Sequence, residues 1–287
     1  MVQNKLRGNF RKILADTLGN SINGDEKQYL PRGYQQVGHV VILNLRNELL
    51  DKKKIIAEAI LKIVKNCSTV CLKKGAIYGE FREPQLELLA GSDTETIVIE
   101  NGIKYKFDVL KIMFAKGNIN ERRRYIPLIK NREIIFDFYA GIGYFTLGIA
   151  KFSKASRIYA FEINPTSYKY LIENLKLNKI PKDKVIPIFG DCRIKALEIP
   201  EHADRIIMGI LPSPKSSLDT AFKVLKKGPC VIHYEGILLD NNSPETLLSD
   251  VENVAVKNNR TIELAHLEKI KSYKPHTFHV CLDINVY

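Results

Sequence analysis

Hydrophobic and polar positions are most clearly ordered near the middle of the chain. The run 134–139 is apolar and favours a strand, and small residues follow it at 140–143. Helical spacing resumes at Tyr144, and a second apolar run at 158–161 ends on Glu162. Apolar runs of this length are typical of buried parallel strands, so the pattern predicts a strand, a tight turn, a helix and a second strand. A small-residue turn and an acid at the second strand tip are the layout that holds an adenosine by its ribose hydroxyls.

The residues that follow continue the alternation of helices and strands. Asn164-Pro165 supplies a helix cap and a first helical residue. Two further strands are predicted at 185–189 and 204–208, the first leading into Gly190-Asp191-Cys192 and the second into the loop 209–214. In open α/β sheets, ligands bind at this carboxyl edge of the strands.

The last third of the chain predicts the remainder of the sheet. A helix at 218–226, a strand at 230–234 and a helix opened by Ser243-Pro244 are expected. Between Phe278 and Val286 apolar residues alternate strictly with polar ones, which is typical of a half-exposed antiparallel strand. The sequence therefore predicts a Rossmann-like α/β domain with a mostly parallel sheet and an antiparallel C-terminal strand.

A smaller α+β region is expected before this domain. Apolar runs flank Asn101-Gly102, the dipeptide that best tolerates the positive φ values of a tight hairpin turn. We predict an α+β domain at residues 1–115 and the Rossmann-like domain at 116–287. The other predicted elements of the first region are a helix or arm at 10–18, a strand at 37–45, a helix at 52–65 and a strand at 69–72.

Composition narrows the class of protein. The chain has 287 residues, 45% of them hydrophobic and 26% charged, and contains neither a run long enough to span a bilayer nor a signal peptide, so we expect a cytoplasmic protein without a membrane partner. Five cysteines at irregular positions indicate reduced thiols. Cys67 and Cys71 lack the second pair that a zinc site needs, so no metal is expected.

The charge of the chain indicates a polyanionic partner. The formal net charge is +12, and the basic residues occur in separate groups. Such clusters favour nucleic acid, because each neutralised phosphate releases counterions, although a lysine-rich solvated surface remains the alternative. The groups are Lys52-Lys53-Lys54, Lys73-Lys74, Arg122-Arg123-Arg124, and Lys269 with Lys271 and Lys274.

The candidate binding residues favour adenosine over a dinucleotide. A dinucleotide site needs a third small residue three positions after Gly143, and Thr146 stands there. Asp191, at the tip of the third strand, is placed to accept a hydrogen bond from an adenine amino group. Two other interpretations stay open at this point: Asp191 caps the next helix, or Glu162 is an ordinary exposed strand end.

These residues resemble a known family. The run from Phe136 to Leu147, with Met113-Phe114-Ala115-Lys116-Gly117-Asn118 upstream, resembles the archaeal-type wybutosine-pathway tRNA aminocarboxypropyltransferases, sister enzymes of the tRNA guanosine-37 N1-methyltransferases. The resemblance extends over most of the chain from about Tyr29. It implies a class I methyltransferase-like fold, S-adenosylmethionine as cofactor and the anticodon region of tRNA(Phe) as partner.

The resemblance also implies roles for individual residues. Glu162 would bind the ribose, Asp191 and Cys192 would frame the adenine, Arg122 would hold the methionine portion, and Ala115 would offer a backbone contact. The complete set of predicted cofactor-binding residues is Ala115, Arg122, Asp137, Gly141, Gly143, Glu162, Asp191 and Cys192. The loop residues Leu211, Pro212 and Ser213 are predicted to contact the substrate.

The resemblance also bears on which group is transferred. It implies Asn-Leu-Pro after the fourth strand in the methyltransferase branch, where the Asn amide can orient the target nitrogen. This chain has Gly209 at the end of that strand, and glycine has no side chain to do so. We therefore predict transfer of the 3-amino-3-carboxypropyl group to C7 of 4-demethylwyosine at position 37, with release of methylthioadenosine. The alternatives are a guanosine-37 N1-methyltransferase and a non-catalytic RNA-binding protein. Asp137, Glu121 and His233 are candidates for the general base that removes the C7 proton, and the sequence does not distinguish them. The oligomeric state is not predicted.

Overall fold

The computed structural model describes residues 2–239 and 244–287, with only the backbone described for residues 2–8 and Lys116. The chain divides into two compact units, Met1–Val98 with Lys106–Phe114, and Ile99–Tyr105 with Ala115–Tyr287. The hairpin of β5 (Glu95–Glu100) and β6 (Ile103–Asp108) therefore contributes its base to the first unit and its tip to the second. Its turn residues Asn101 and Gly102 both have positive φ, as the sequence predicts.

The first unit is a four-stranded sheet with two helices. The strands lie in the order β1-β2-β3-β4, and side chains such as Phe10, Leu43 and Ile60 form the core. Its elements are α1 (Val2–Leu18), β1 (Gln35–Val37), β2 (Val40–Leu43), α2 (Lys53–Ile63), β3 (Thr69–Lys73) and β4 (Leu86–Ala90).

One prediction for this unit was wrong and one strand was missed. The single strand predicted at 37–45 is a hairpin of β1 and β2, because Gly38 adopts a φ of +58° and reverses the chain. β4 was not predicted, since its sequence LELLA carries no clear alternation. It pairs antiparallel with β3, which in turn pairs parallel with β2.

The second unit is a seven-stranded sheet in the order β12-β13-β11-β10-β7-β8-β9. The five strands from β11 to β9 are parallel, and β13 and β12 are antiparallel to their neighbours. The strands are β7 (Ile134–Asp137), β8 (Arg157–Glu162), β9 (Val185–Phe189), β10 (Arg205–Met208), β11 (Cys230–Leu239), β12 (Ile262–Lys274) and β13 (Thr277–Val286).

Helices cover both faces of this sheet. Asn164 caps α5 as predicted, accepting from the backbone N–H groups of Thr166 and Ser167. The predicted cap at Ser243 lies outside the described residues. The helices are α3 (Ile119–Leu128), α4 (Thr146–Phe152), α5 (Pro165–Leu177), α6 (Cys192–Lys195), α7 (Leu218–Val224) and α8 (Glu245–Lys257). No helix in the described part of the chain is long and apolar enough to cross a membrane.

The C-terminal strands differ from the prediction in two respects. β13 was expected to be half exposed, but both of its faces are covered: His279, Cys281 and Asp283 are as buried as the apolar residues between them. β12 was not predicted as a strand. Three irregularities in its pairing with β13 interrupt the alternation that would have identified it.

Candidate active site

Glu162, at the tip of β8, lies against the glycine turn that follows β7. Its Oε2 accepts from the backbone N–H of Gly141 at 2.7 Å, and its Oε1 accepts from that of Asn164 at 2.7 Å. Gly141 has a φ of +57°, and a Cβ there would lie 2.6 Å from the ring of Tyr144. A glycine is therefore required at this turn, and each carboxylate oxygen keeps lone-pair capacity for a further donor.

Burial raises the pKa of Glu162 to about 7, although the amides of Asn164 and Gly141 act in the opposite direction. A carboxylate in this position gains from additional hydrogen-bond donors, because they favour its charged form. Two vicinal hydroxyl groups would supply such donors. The interpretation of Glu162 as an ordinary exposed strand end does not fit this environment.

Asp137, the last residue of β7, is fully buried beside the same turn. Its Oδ2 accepts from the hydroxyl of Thr146 at 2.6 Å, while Oδ1 has no hydrogen-bond partner among the described residues. Burial raises its pKa to about 6, and the nearby charge of Glu235 adds to the effect. Buried acceptors are nearly always hydrogen-bonded in native proteins, so Oδ1 indicates a site completed by a bound group or water.

Asp191 and Cys192 follow the tip of β9, which pairs with β8 so that Phe189 is opposite Glu162. Asp191 does cap α6, accepting from the backbone N–H of Arg193 at 2.8 Å, and its carboxylate also pairs with the Arg193 guanidinium at 2.5 Å. Burial raises the pKa of the Cys192 thiol to about 12, which favours the neutral thiol over the nucleophilic thiolate. Asp191 thus has a structural role in addition to any contact with a ligand.

Arg122 is buried near the glycine turn and held from several sides. It forms an ion pair with Glu100, donates to the carbonyl oxygen of Ala115 at 2.7 Å, and lies 5.3 Å from the ring centre of Tyr144. Of its two neighbouring arginines, Arg123 is exposed and Arg124 is engaged in further ion pairs. The structure therefore brings Ala115 and Arg122 together, and the three arginines do not form one basic patch.

The predicted substrate loop begins where β10 ends. A Cβ at Gly209 would lie 2.7 Å from the ring of Phe145 and 3.5 Å from Oε1 of Glu235, so no side chain fits there without displacing the ring. Further along, the hydroxyl of Ser213 is 2.7 Å from that of Tyr234. The loop is thus anchored to β11 and packed tightly at its first residue.

A buried ionic network lies on the sheet face beneath α3. Asp283 pairs with Arg124 and with Nδ1 of His233, which is 2.6 Å away. The other ring nitrogen of His233 is 2.7 Å from the guanidinium of Arg205. Because a guanidinium only donates, that nitrogen accepts, and the Nδ1 hydrogen is donated to Asp283. His233 is therefore a fully paired structural residue, and its burial lowers its pKa.

His233, Cys281 and Asp283 also form a compact group of potential metal ligands. Both nitrogens of His233 already have partners, and Arg124 places a positive charge on the carboxylate. The guanidinium of Arg124 thus already neutralises the Asp283 carboxylate that a metal ion would have to bind. The group is therefore better explained as part of the ion-pair network than as a metal site.

A second buried pair, Glu235 with His279, was not predicted. Their side chains meet at 2.8 Å, and Glu235 Oε1 and His279 Nδ1 have no hydrogen-bond partner among the described residues. His279 was read as one of the solvent-facing polar residues of its strand. The available signal was an ionisable residue at two alternate positions, His233 within the strand predicted at 230–234 and Glu235 directly after it.

The order of the seven strands, the glycine turn after β7 and the acid at the end of β8 define a class I methyltransferase-like domain. The family model described as the TRM5/TYW2 methyltransferase domain matches residues 96–264, and the one described as the TYW2 N-terminal domain matches residues 14–94. The chain belongs to the TRM5/TYW2 family.

Individual relatives come from both branches of this family. The chain is 40% identical to a tRNA(Phe) (4-demethylwyosine(37)-C(7)) aminocarboxypropyltransferase of Methanocaldococcus jannaschii, over 87% of this chain and 96% of that protein. It is 35% identical to the tRNA (guanine(37)-N(1))-methyltransferase Trm5b of Pyrococcus abyssi, over 91% and 76%. The crystal structure of Pyrococcus horikoshii TYW2 in complex with MeSAdo superimposes with a TM-score of 0.83 at 33% identity, covering 96% of this chain and 99% of that one.

Proposed function

We propose that this chain transfers the 3-amino-3-carboxypropyl group of S-adenosylmethionine to C7 of 4-demethylwyosine at position 37 of tRNA(Phe). The C–S bond of the cofactor breaks to release methylthioadenosine, and C7 loses its hydrogen as a proton. The observation that carries the proposal is the carboxylate of Glu162, held at a strand tip by the glycine turn with its pKa near 7. Similarity to an aminocarboxypropyltransferase over nearly the whole of both chains supports this branch, since Trm5b is matched over only 76% of its length.

The residues present fit an adenosyl sulfonium. Glu162 has acceptor capacity for both ribose hydroxyls, and Asp137 Oδ1 is an acceptor without a partner among the described residues. Gly141 and Gly143 have no side chains, so a ligand can approach the backbone of the turn. Asp191 and Cys192 would border the adenine, and Arg122 with the carbonyl of Ala115 would lie by the methionine portion. When bound, S-adenosylmethionine supplies an electrophilic carbon next to a positively charged sulfur.

The contribution of the protein to this chemistry is mainly positioning. Ile142 in the turn and Phe145 just after it are buried apolar residues, and they would limit the access of water to the bound cofactor. Leu211, Pro212 and Ser213 would line the position of the base, and Gly209 leaves no side chain there to orient a ring nitrogen. Holding two reacting carbons within contact distance accounts for a large part of the rate enhancement of such reactions.

Two further assignments belong to the proposal. Residues 1–115 would serve as a tRNA-binding or accessory domain that reaches the anticodon region, and residues 116–287 as the catalytic domain. A cytoplasmic location fits five cysteines that are all free thiols. The net charge of +12 supports an RNA partner.

The by-product of the reaction tests the activity. Incubation with S-adenosylmethionine and precursor tRNA should give methylthioadenosine and a tRNA mass gain equal to one aminocarboxypropyl group. S-adenosylhomocysteine with a gain of one methyl group would contradict this and assign the chain to the methyltransferase branch. Failure to bind S-adenosylmethionine in calorimetry, with tRNA binding intact, would favour the non-catalytic RNA-binding alternative.

Glu162→Ala tests the cofactor site directly. Loss of two charge-assisted hydrogen bonds should weaken S-adenosylmethionine binding by about 10- to 100-fold while tRNA affinity stays near wild type. The matched control is Glu201→Ala, because Glu201 is a carboxylate that pairs with Arg157 at the opposite end of β8. Equal losses in both affinities, or in both variants, would contradict the assigned role.

A further inference from the structure

The hairpin of β12 and β13 carries a concentration of positive charge at the edge of the second unit. β12 is the outermost strand of the seven-stranded sheet. No Asp or Glu occurs between Glu268 and Asp283, and this stretch contains Lys269, Lys271 and Lys274. The tip residues 272–276 are all exposed. Residues 269–282, the part of the hairpin that includes its tip, therefore carry three lysines and no acidic residue.

Two lysines of this hairpin, Lys269 and Lys274, differ from other lysines of the same unit. Lys195, Lys215 and Lys223 each form an ion pair with a carboxylate. In contrast, Lys269 Nζ lies 4.0 Å from the ring centre of Phe278, Lys274 Nζ lies 5.9 Å from that of Tyr273, and neither forms an ion pair with any residue that the structure describes. Their charges are thus available to an external anion.

Tyr273 adds an aromatic face to this surface. Its side chain is 43% exposed at the hairpin tip, next to Lys274 and Pro275. Lysines on an edge strand also prevent unwanted strand pairing, and the irregular pairing of β12 has the same effect. That role does not require an exposed tyrosine, and it argues against an added β-strand of another protein as the occupant.

The position of the hairpin links it to the site. The turn Lys116–Asn118 lies against β12, and a Cβ at Gly117 would be 3.0 Å from the aliphatic chain of Lys271. This turn leads directly into α3, which carries Arg122 to the glycine turn. The basic hairpin is therefore continuous with the segment that borders the proposed cofactor site.

We propose that the β12–β13 hairpin binds an unpaired segment of the substrate RNA, with phosphates along Lys269, Lys271 and Lys274 and one base stacked on Tyr273. Basic side chains that follow a backbone, together with an aromatic platform, are the usual means of holding single-stranded nucleic acid. The inference rests on the proposed function, because the RNA concerned is the same tRNA.

Binding of tRNA to the full chain at several salt concentrations tests the phosphate contacts. Lys269→Gln with Lys274→Gln should reduce the slope of log affinity against log salt by about 1.4, the value expected for two single-strand phosphates. The control is Lys169→Gln with Lys223→Gln, two exposed lysines on helices of the same unit, which should leave the slope unchanged. An unchanged slope in the hairpin variant would overturn the proposal.

Tyr273→Ala tests the stacked base. Affinity for tRNA and for an unstructured RNA oligonucleotide should fall about 5- to 100-fold, while Tyr273→Phe should stay near wild type. An equal loss in Tyr273→Phe, or unchanged RNA binding with altered self-association, would overturn the proposal. The two proposals can fail separately. If Tyr273→Ala loses RNA affinity but the wild type forms no aminocarboxypropyl product, the RNA-binding surface stands and only the proposed function is refuted.

Discussion

On one face of the seven-stranded sheet, Phe136, Ile206 and Ile232 pack with the apolar side chains of α6, α7 and α8. Each of these residues has a buried, ionisable neighbour in its own strand that faces the other way: Asp137, Arg205 and His233. Since successive residues of a strand point to opposite faces, the same strands build an apolar core and a polar network. The apolar face can accept substitutions between apolar residues of similar volume, whereas the polar face requires specific ion-pair and hydrogen-bond partners.

The apolar face could be predicted from the sequence and the polar face could not. β9 was predicted with its observed bounds, and the Asn164 cap was identified, because both depend on residues close in the chain. The burial of Asp283 depends on Arg124, which lies 159 positions away and approaches from α3. The alternation of apolar and polar residues predicts that a segment is a strand. It does not show whether a helix covers the face that carries the polar residues.

The candidate site shows the same division. Gly141 and Glu162 were identified from their places at adjacent strand tips, and the structure brings them together. Glu100, the partner of Arg122, and Glu235, next to Gly209, were not identified. Both contacts join segments whose proximity only the folded chain establishes.

The largest effect is expected from Asp283→Ala on the polar face. The substitution leaves the half-buried Arg124 without one of its carboxylates and the buried His233 without its acceptor, so it should lower the free energy of unfolding by about 3 kcal/mol or more. Chemical denaturation at pH 7 measures this loss. Burial alone would raise the pKa of Asp283, but His233 and Arg124 hold it well below its usual range. The stability from this residue should therefore be lost only as the pH falls below about 4, where wild type and variant should converge.

Leu282→Ala is the matched test on the apolar face, because Leu282 is the neighbouring residue of the same strand and is fully buried. It should cost about 3 kcal/mol through lost burial and the remaining cavity. Its cost should be the same at pH 4 and pH 8, since no titrating group is involved. A strongly pH-dependent cost would mean that the two faces are not independent.

A smaller effect is expected from Glu162→Gln. The folded pKa of about 7 exceeds the ordinary value of 4.5, so the folded protein binds the extra proton and wild-type stability should fall as the pH rises from about 4.5 to 7. The glutamine variant lacks this slope and should gain roughly 2 kcal/mol relative to wild type across that interval. Melting temperatures between pH 4.5 and 8 measure the difference, and parallel curves would contradict the raised pKa.

The hairpin tip at residues 99–105 has a practical consequence for dissecting the chain. Glu100 neutralises Arg122, and the backbone of Lys104 exchanges two hydrogen bonds with the side chain of Asn178. A fragment that starts at residue 116 would lack Glu100 and Lys104, so the buried guanidinium of Arg122 would lose the carboxylate of Glu100 and Asn178 would lose its two backbone contacts. The fragment that starts at residue 116 is therefore expected to aggregate. A fragment that starts at Glu95 keeps the β5–β6 hairpin and is expected to remain folded.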